Sequence, residues 1–348
     1  MKALVALASL SLVLLATGCN NGPKSGDTGA PGAAGPGKAA KPAPRQATDA
    51  ELAAAKVNES GVIPILEYHR IRKGRTTYDR SPEDFRKDLE RLYTEGYRPI
   101  ALHDLLDNKI DVPIGMTPVV LTFDDSSPTQ FSYKQDGSLD PDCAFGILKA
   151  FHEAHPDFGQ RGIFFMNASV TGKPSKVFGD QSTAPKKIQE LLAAGMEIGN
   201  HTVTHPNLSH LSDERVQAEI AGCILGIQAL APNTVVDTLA LPFGIWPKDH
   251  KLAAEGSFGG TSYQNKAVLL VGAEPAQSPA TRKYDPLRLR RVQACGGKWG
   301  ITYWLDYLKE HPDKRFVSDG DPSTLTIPKY AQINVDSAKL GTVKLRTY

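Results

Sequence analysis

Short apolar runs separated by amphipathic stretches constrain this chain more than any other feature. Val62-Ile63-Pro64-Ile65-Leu66, Val119-Val120-Leu121-Thr122-Phe123, Gly162-Ile163-Phe164-Phe165-Met166, Met196-Glu197-Ile198-Gly199 and Leu239-Ala240-Leu241 read as buried strands. Helical patterns lie between them. Ser81-Pro82-Glu83-Asp84 supplies an N-cap, a first-turn proline and early acids, Phe85, Leu89 and Leu92 share one face, and Gly96 ends the helix. Further helices are expected over Ala144–Phe151, Ile188–Ala194 and Asp213–Leu230. Apolar strands alternating with such helices imply a parallel sheet. The expected fold is an α/β, distorted (β/α) barrel with fewer than eight regular strands, one domain over residues 61–348. A last strand is expected at Arg315-Phe316-Val317.

The N-terminus reads differently. Lys2, an apolar run from Ala3 to Ala16 and the small residues Thr17 and Gly18 form an export signal over residues 1–18, too short to span a bilayer as a helix. Leu15-Ala16-Thr17-Gly18-Cys19 resembles a bacterial lipoprotein signal, with Cys19 as the acylated residue. From Cys19 to about residue 60 the Gly, Pro, Ala and Lys composition predicts a disordered tether. Both features place the protein outside the cytoplasm, lipid-anchored to a bacterial membrane and facing periplasm or exterior. A formal net charge of +2 gives no reason to expect nucleic acid. Cys143, Cys223 and Cys295 remain as core or disulfide residues, allowing at most one bridge among them.

The polar clusters fall just after the expected strands: His69, Asp124-Asp125, Asn167, Asn200-His201 and Phe243-Gly244. In barrels and open parallel sheets the carboxyl ends of the strands converge on one face, so distant residues meet there. Two adjacent carboxylates at a buried strand end are costly without a cation or hydrogen-bond partners. His201 and His205 stand four apart, but Pro206 turns His205 away from the helical region, so the pair belongs to a loop. Thr202 is available there to hydrogen-bond behind the rings. Two imidazoles and one carboxylate suit Zn2+ with an open position, and also accept Co2+, Ni2+ or Mn2+. His103, His152, His155, His210, His250 and His311 are read as structural.

Leu121-Thr122-Phe123-Asp124-Asp125, Asn200-His201-Thr202-Val203-Thr204-His205 and Leu241-Pro242-Phe243-Gly244 together resemble the polysaccharide deacetylases of the NodB-homology type, carbohydrate esterase family four, over roughly residues 61–292. The resemblance implies that Asp125, His201 and His205 bind the metal, Asp124 is the catalytic base and the Phe243 N–H is an oxyanion donor. Two departures stand out. Ala240 occupies the family's common arginine position, leaving Arg291 either to orient Asp124 from another loop or to sit at the surface beside Arg290. No late Leu-x-His motif occurs. Instead, Pro64-Ile65-Leu66-Glu67-Tyr68-His69 resembles the early Tyr-His segment of a branch that includes poly-N-acetylglucosamine deacetylases, which makes His69 the acid. Glu67 either hydrogen-bonds an imidazole or contacts sugar hydroxyls.

The implied activity is metal-dependent removal of N-acetyl groups from an extracellular or cell-wall polysaccharide. The alternatives are a related hydrolase of a small amide and a noncatalytic glycan-binding lipoprotein. Export and the long tether oppose the first, and retention of Asp124 beside the three ligands opposes the second.

Overall fold

The computed structural model describes residues 46–173 and 177–348. Residues 1–18, Cys19 and the tether up to residue 45 lie outside the described residues.

The tether expected to reach residue 60 ends earlier. Asp49–Ala55 forms a helix (α1) with a complete capping box, in which the Thr48 side chain accepts from the Glu51 N–H and the Glu51 carboxylate accepts from the Thr48 N–H. Leu52 and Val57 are fully buried, and Asn58 pairs with Val317. A segment rich in Ala therefore folds because the cap fixes its start and two apolar residues dock it.

The central sheet has eight strands. In chain order they are β1 (Ile65–Tyr68), β2 (Tyr97–Pro99), β3 (Thr117–Phe123), β4 (Ile163–Met166), β5 (Glu197–Asn200), β6 (Thr238–Ala240), β7 (Ala267–Leu269) and β8 (Val292–Gln293). All pair in parallel. The hydrogen-bonded path runs β7-β6-β5-β4-β3-β1-β8, with β2 branching from the start of β3. Leu289, just before β8, bridges Leu269 of β7, while Val292 pairs with Leu66 of β1. The segment 289–293 thus links the two ends of the path and bends the sheet into an irregular barrel. Gly272 is needed at this seam, since a Cβ there would lie 1.2 Å from the Arg291 carbonyl oxygen.

Side-chain alternation divides the core in two. Ile65, Val120, Ile163, Phe165, Ala240, Ala267 and Leu269 fill the barrel. Leu66, Tyr68, Leu121, Phe123, Phe164 and Met166 point outward against helices. These include α2 (Pro82–Thr94), capped by the Ser81 side chain, α3 (Ala144–Ala154), α4 (Ala184–Ala193) and α5 (Asp213–Leu230). The expected strand at Arg315–Val317 is replaced by single bridges from Arg315 to Val62 and from Val317 to Asn58. All three described cysteines are free thiols. Cys143 caps α3, and Cys223 donates to the Met166 carbonyl oxygen at 3.1 Å.

Candidate active site and metal centre

The inward register of β1 carries Ile65, then Glu67, then His69, and that of β3 carries Val120, Thr122 and Asp124. These polar residues therefore emerge on the same end of the barrel as the loops after β5 and β6. His69, Asp124, Asp125, His201, His205 and Phe243 line one cleft of about 140 Å³.

Asp124 is buried, and its N–H donates to the Tyr68 carbonyl oxygen at 2.9 Å. Arg291, fully buried, grips its carboxylate from both sides: Nη1 donates to Oδ1 and Nη2 to Oδ2, each at 2.8 Å. Arg291 Nε donates to the Leu270 carbonyl oxygen and Nη1 also reaches Thr122 Oγ1. Burial pushes the Asp124 carboxyl up, but Arg291 and then His201 pull it the other way, and it ends well below the usual carboxylate range. Arg291 is no surface charge. It stands immediately before β8 and orients Asp124, the alternative that Ala240 left open.

The metal ligands implied by the sequence meet. Asp125 adopts φ 80°, Thr202 φ 67° and His205 φ 54°, left-handed conformations that non-glycine residues hold only where surrounding bonds enforce them. Around Thr202 and His205 those bonds are present. Asn167 Nδ2 donates to the carbonyl oxygens of His201 and Thr202, Asn200 Oδ1 accepts from the Thr202 N–H, Thr202 Oγ1 accepts from the His205 N–H, and Glu219 accepts from both the N–H and hydroxyl of Thr204.

His201 Nδ1 lies 2.8 Å from the Ala240 carbonyl oxygen, which can only accept, so Nδ1 carries the proton and Nε2 keeps its lone pair. That Nε2 is buried without a hydrogen-bond partner. It faces Asp125 Oδ1 at 3.4 Å and Asp124 Oδ2 at 3.9 Å, and His205 Nε2 stands 3.6 Å from the same Asp125 oxygen. Burial pushes the His205 imidazole down, and the neighbouring His201 adds to that. A lone pair with no donor, beside a carboxylate and a second imidazole, fits a divalent cation.

A second group, Glu67, His69 and Asp124, also brings its ligand atoms within 4.8 Å of one another. Arg291 already supplies positive charge there, 2.8 Å from Asp124 and 3.4 Å from Glu67, so Asp125, His201 and His205 are the better cation site. Glu67 is buried away from any sugar hydroxyl and stands 3.6 Å from His69 Nε2. Burial raises its carboxyl, with Arg291 opposing. Tyr68 turns outward, stacked on Phe123 and donating to Asp88, and takes no part in the cleft.

The sequence reading missed Gln130, a buried side chain whose Nε2 donates to the carbonyl oxygens of both His69 and Asp124 and so ties two site loops together. It also missed Tyr78, whose ring meets His69 at 4.8 Å. Neither directly follows a strand of the central sheet, so position along that sheet gave no signal. Phe243, with φ 59°, lies edge-to-face with His205 at 4.6 Å. The following Gly244 and Ile245 N–H groups are committed to the carbonyl oxygens of Leu241 and Pro242.

Comparisons with known proteins agree with this geometry. The family model described as polysaccharide deacetylase matches residues 113–257, which include Asp124, Asp125, His201, His205 and Phe243. A chitooligosaccharide deacetylase of Bradyrhizobium is 34% identical over 65 residues, 19% of this chain and 30% of the relative, so this chain spans well under two thirds of that enzyme's length. Among solved structures, a Streptococcus pyogenes deacetylase in complex with acetate has a TM-score of 0.50 at 21% identity, covering 66% of this chain and 91% of the other. A polysaccharide deacetylase from Bacillus cereus has a TM-score of 0.52 at 17% identity, covering 70% and 68%. At these identities the two structures show a shared fold. The family match is confined to residues 113–257, the stretch that carries Asp124, Asp125, His201 and His205, and there the chain is similar to the polysaccharide deacetylases.

Proposed function

We propose that this protein removes acetyl groups from an N-acetylglucosamine-type polysaccharide outside the cell, using a divalent metal, most simply Zn2+, held by Asp125, His201 and His205. The observation that carries the reading is the unpartnered, buried Nε2 of His201 facing Asp125, beside an Asp124 carboxylate held ionised by Arg291. When bound, the ion polarises the acetyl carbonyl and acidifies an attacking water.

The remaining work falls to the chain. Asp124 removes the proton of the water: each of its oxygens accepts one bond from Arg291 and keeps a second lone pair for that proton. Arg291 orients the carboxylate. The Phe243 N–H donates to the oxygen on which negative charge develops. His69, whose ring lies close to Asp124, gives a proton to the departing amine nitrogen, and Gln130 keeps the backbones of His69 and Asp124 in register. The early Tyr-His segment supports assignment to the branch in which this acid precedes the metal motifs.

Export and lipid attachment at Cys19 belong to the same proposal, supported by the basic and apolar N-terminal run and the small residues before Cys19. Among the described residues no helix is long and apolar enough to cross a membrane. Cys19→Ser should release the protein from the membrane or block its processing, and unchanged detergent partitioning would reject the anchor. The catalytic reading is tested by measuring acetate released from peptidoglycan, poly-N-acetylglucosamine, chitin oligomers and O-acetylated glycan by metal-loaded protein. Release from N-acetylated glycan is expected, and none from any of them would leave only glycan binding.

A further inference from the structure

The cleft has a charged floor but aromatic rims. One rim is Tyr78, on a loop between Arg70 and Arg80. Asp79 is the hub of this loop: its carboxylate, 2% exposed, accepts from Arg70 Nε and Arg72 Nε at 2.8 Å each, from Thr76 Oγ1 at 2.7 Å and from the Thr76 N–H at 3.2 Å. Gly74 passes so close that a Cβ there would lie 2.3 Å from Asp79 Cγ. The Arg70 N–H donates to the Tyr78 carbonyl oxygen and the Arg72 N–H to that of Arg80, closing the loop's base. All this fixes Tyr78 against His69, yet leaves the residue 43% exposed. Across the cleft, on the far side of β3 and β4, Phe243 stands over His205 with 54% exposure.

An exposed ring on a tightly bonded loop contributes little to packing, and its face is free for a ligand. A pyranose ring offers apolar C–H faces and a polar edge, which matches an aromatic rim above a floor of carboxylates and imidazoles. A small linear amide has no such face. We infer that Tyr78 is a specificity-determining residue that stacks on the sugar ring whose acetamide enters the cleft, with the Asp79-centred loop as its mount. The inference rests on the deacetylase reading and names the side chain that recognises its sugar ring.

The test compares metal-loaded wild type with Tyr78→Ala and Tyr78→Phe on a tetramer of N-acetylglucosamine and on p-nitrophenyl acetate, which has no pyranose. Tyr78→Ala should raise KM for the tetramer about 10-fold, with kcat changing much less and the loss on the ester several-fold smaller, while Tyr78→Phe restores the wild-type KM. Equal losses on both substrates, or no recovery with phenylalanine, would overturn the stacking role. Affinity for the tetramer, measured by calorimetry in metal-loaded Asp124→Asn protein, reads the same contact without turnover. There Tyr78→Ala should weaken binding about 10-fold. A protein that releases no acetate but binds the tetramer through Tyr78 would defeat the enzymatic reading alone, and unaltered binding would defeat the platform alone.

Discussion

Each end of the barrel holds a histidine between two carboxylates, and the two arrangements serve opposite ends. At the amino ends of the strands, His103 sits between Glu197, the first residue of β5, and Asp237, just before β6. Both ring nitrogens are bonded, with Asp237 Oδ1 at 2.7 Å, and Glu197 also accepts from the Leu102 and His103 N–H groups. Lys266 adds a partner for Asp237 at 3.1 Å. At the carboxyl ends, His201 faces Asp124 and Asp125 at 3.9 and 3.4 Å, and its Nε2 has no hydrogen-bond partner. A satisfied cluster stabilises the fold; an unsatisfied one is held in place by the Asn167, Asn200 and Thr202 bonds and is available for chemistry.

The largest effect should come from breaking the chemistry while leaving the fold. Asp124→Asn has the same shape and keeps one acceptor for Arg291 but removes the base, so kcat for deacetylation should fall by at least about 100-fold while the metal stays bound. Near-normal turnover on glycan would remove Asp124 from the mechanism. A smaller and selective loss is expected from His69→Ala. An activated acetate ester hardly needs its leaving group protonated, so that reaction should suffer much less than release from the glycan amide. Equal losses on the two substrates would make His69 structural, like His103.

The smallest effect sharpens the other side of the comparison. Hydrogen bonds donated to the Asp237 and Glu197 carboxylates raise the His103 imidazole to about 10. A group raised in the folded state contributes stability that is complete below its unfolded value of about 6.5 and is lost as pH rises toward 10. His103→Ala should therefore cost roughly 1–3 kcal/mol near pH 6 and progressively less between pH 7 and 10, with activity per folded molecule retained. Denaturant unfolding across that range checks it, and a penalty independent of pH would mean that the ion pairs contribute nothing.

The site was more legible in the sequence than the frame around it. Asp124, Asp125, His201 and His205 could be found because each follows an apolar run long enough to read as a strand, and parallel strands must deliver their ends to one face. Arg291 was harder. The strand that carries it to Asp124 is only Val292–Gln293, too short to show a period, and what positions it is the close passage of Gly272, a tertiary contact. Glu67 was ambiguous because burial, invisible in sequence, decides between sugar and protein partners. The ordered start of the domain was readable after all: Thr48-Asp49-Ala50-Glu51 is a capping-box pattern, overlooked because the surrounding Gly, Pro, Ala and Lys composition pointed to a tether. Tyr78 had no local signature, since its placement depends on the Asp79 bonds.

The central claim is that the unsatisfied cluster is a metal-dependent deacetylation site. Its most direct test is to strip the protein of metal and add Zn2+ back, following bound metal and acetate release from an N-acetylglucosamine tetramer in the same samples. Both should rise together and level off at about one ion per chain, and a His201→Ala, His205→Ala double variant that remains folded should show neither. Full acetate release by the metal-free protein, or undiminished metal content in the double variant, would contradict the account.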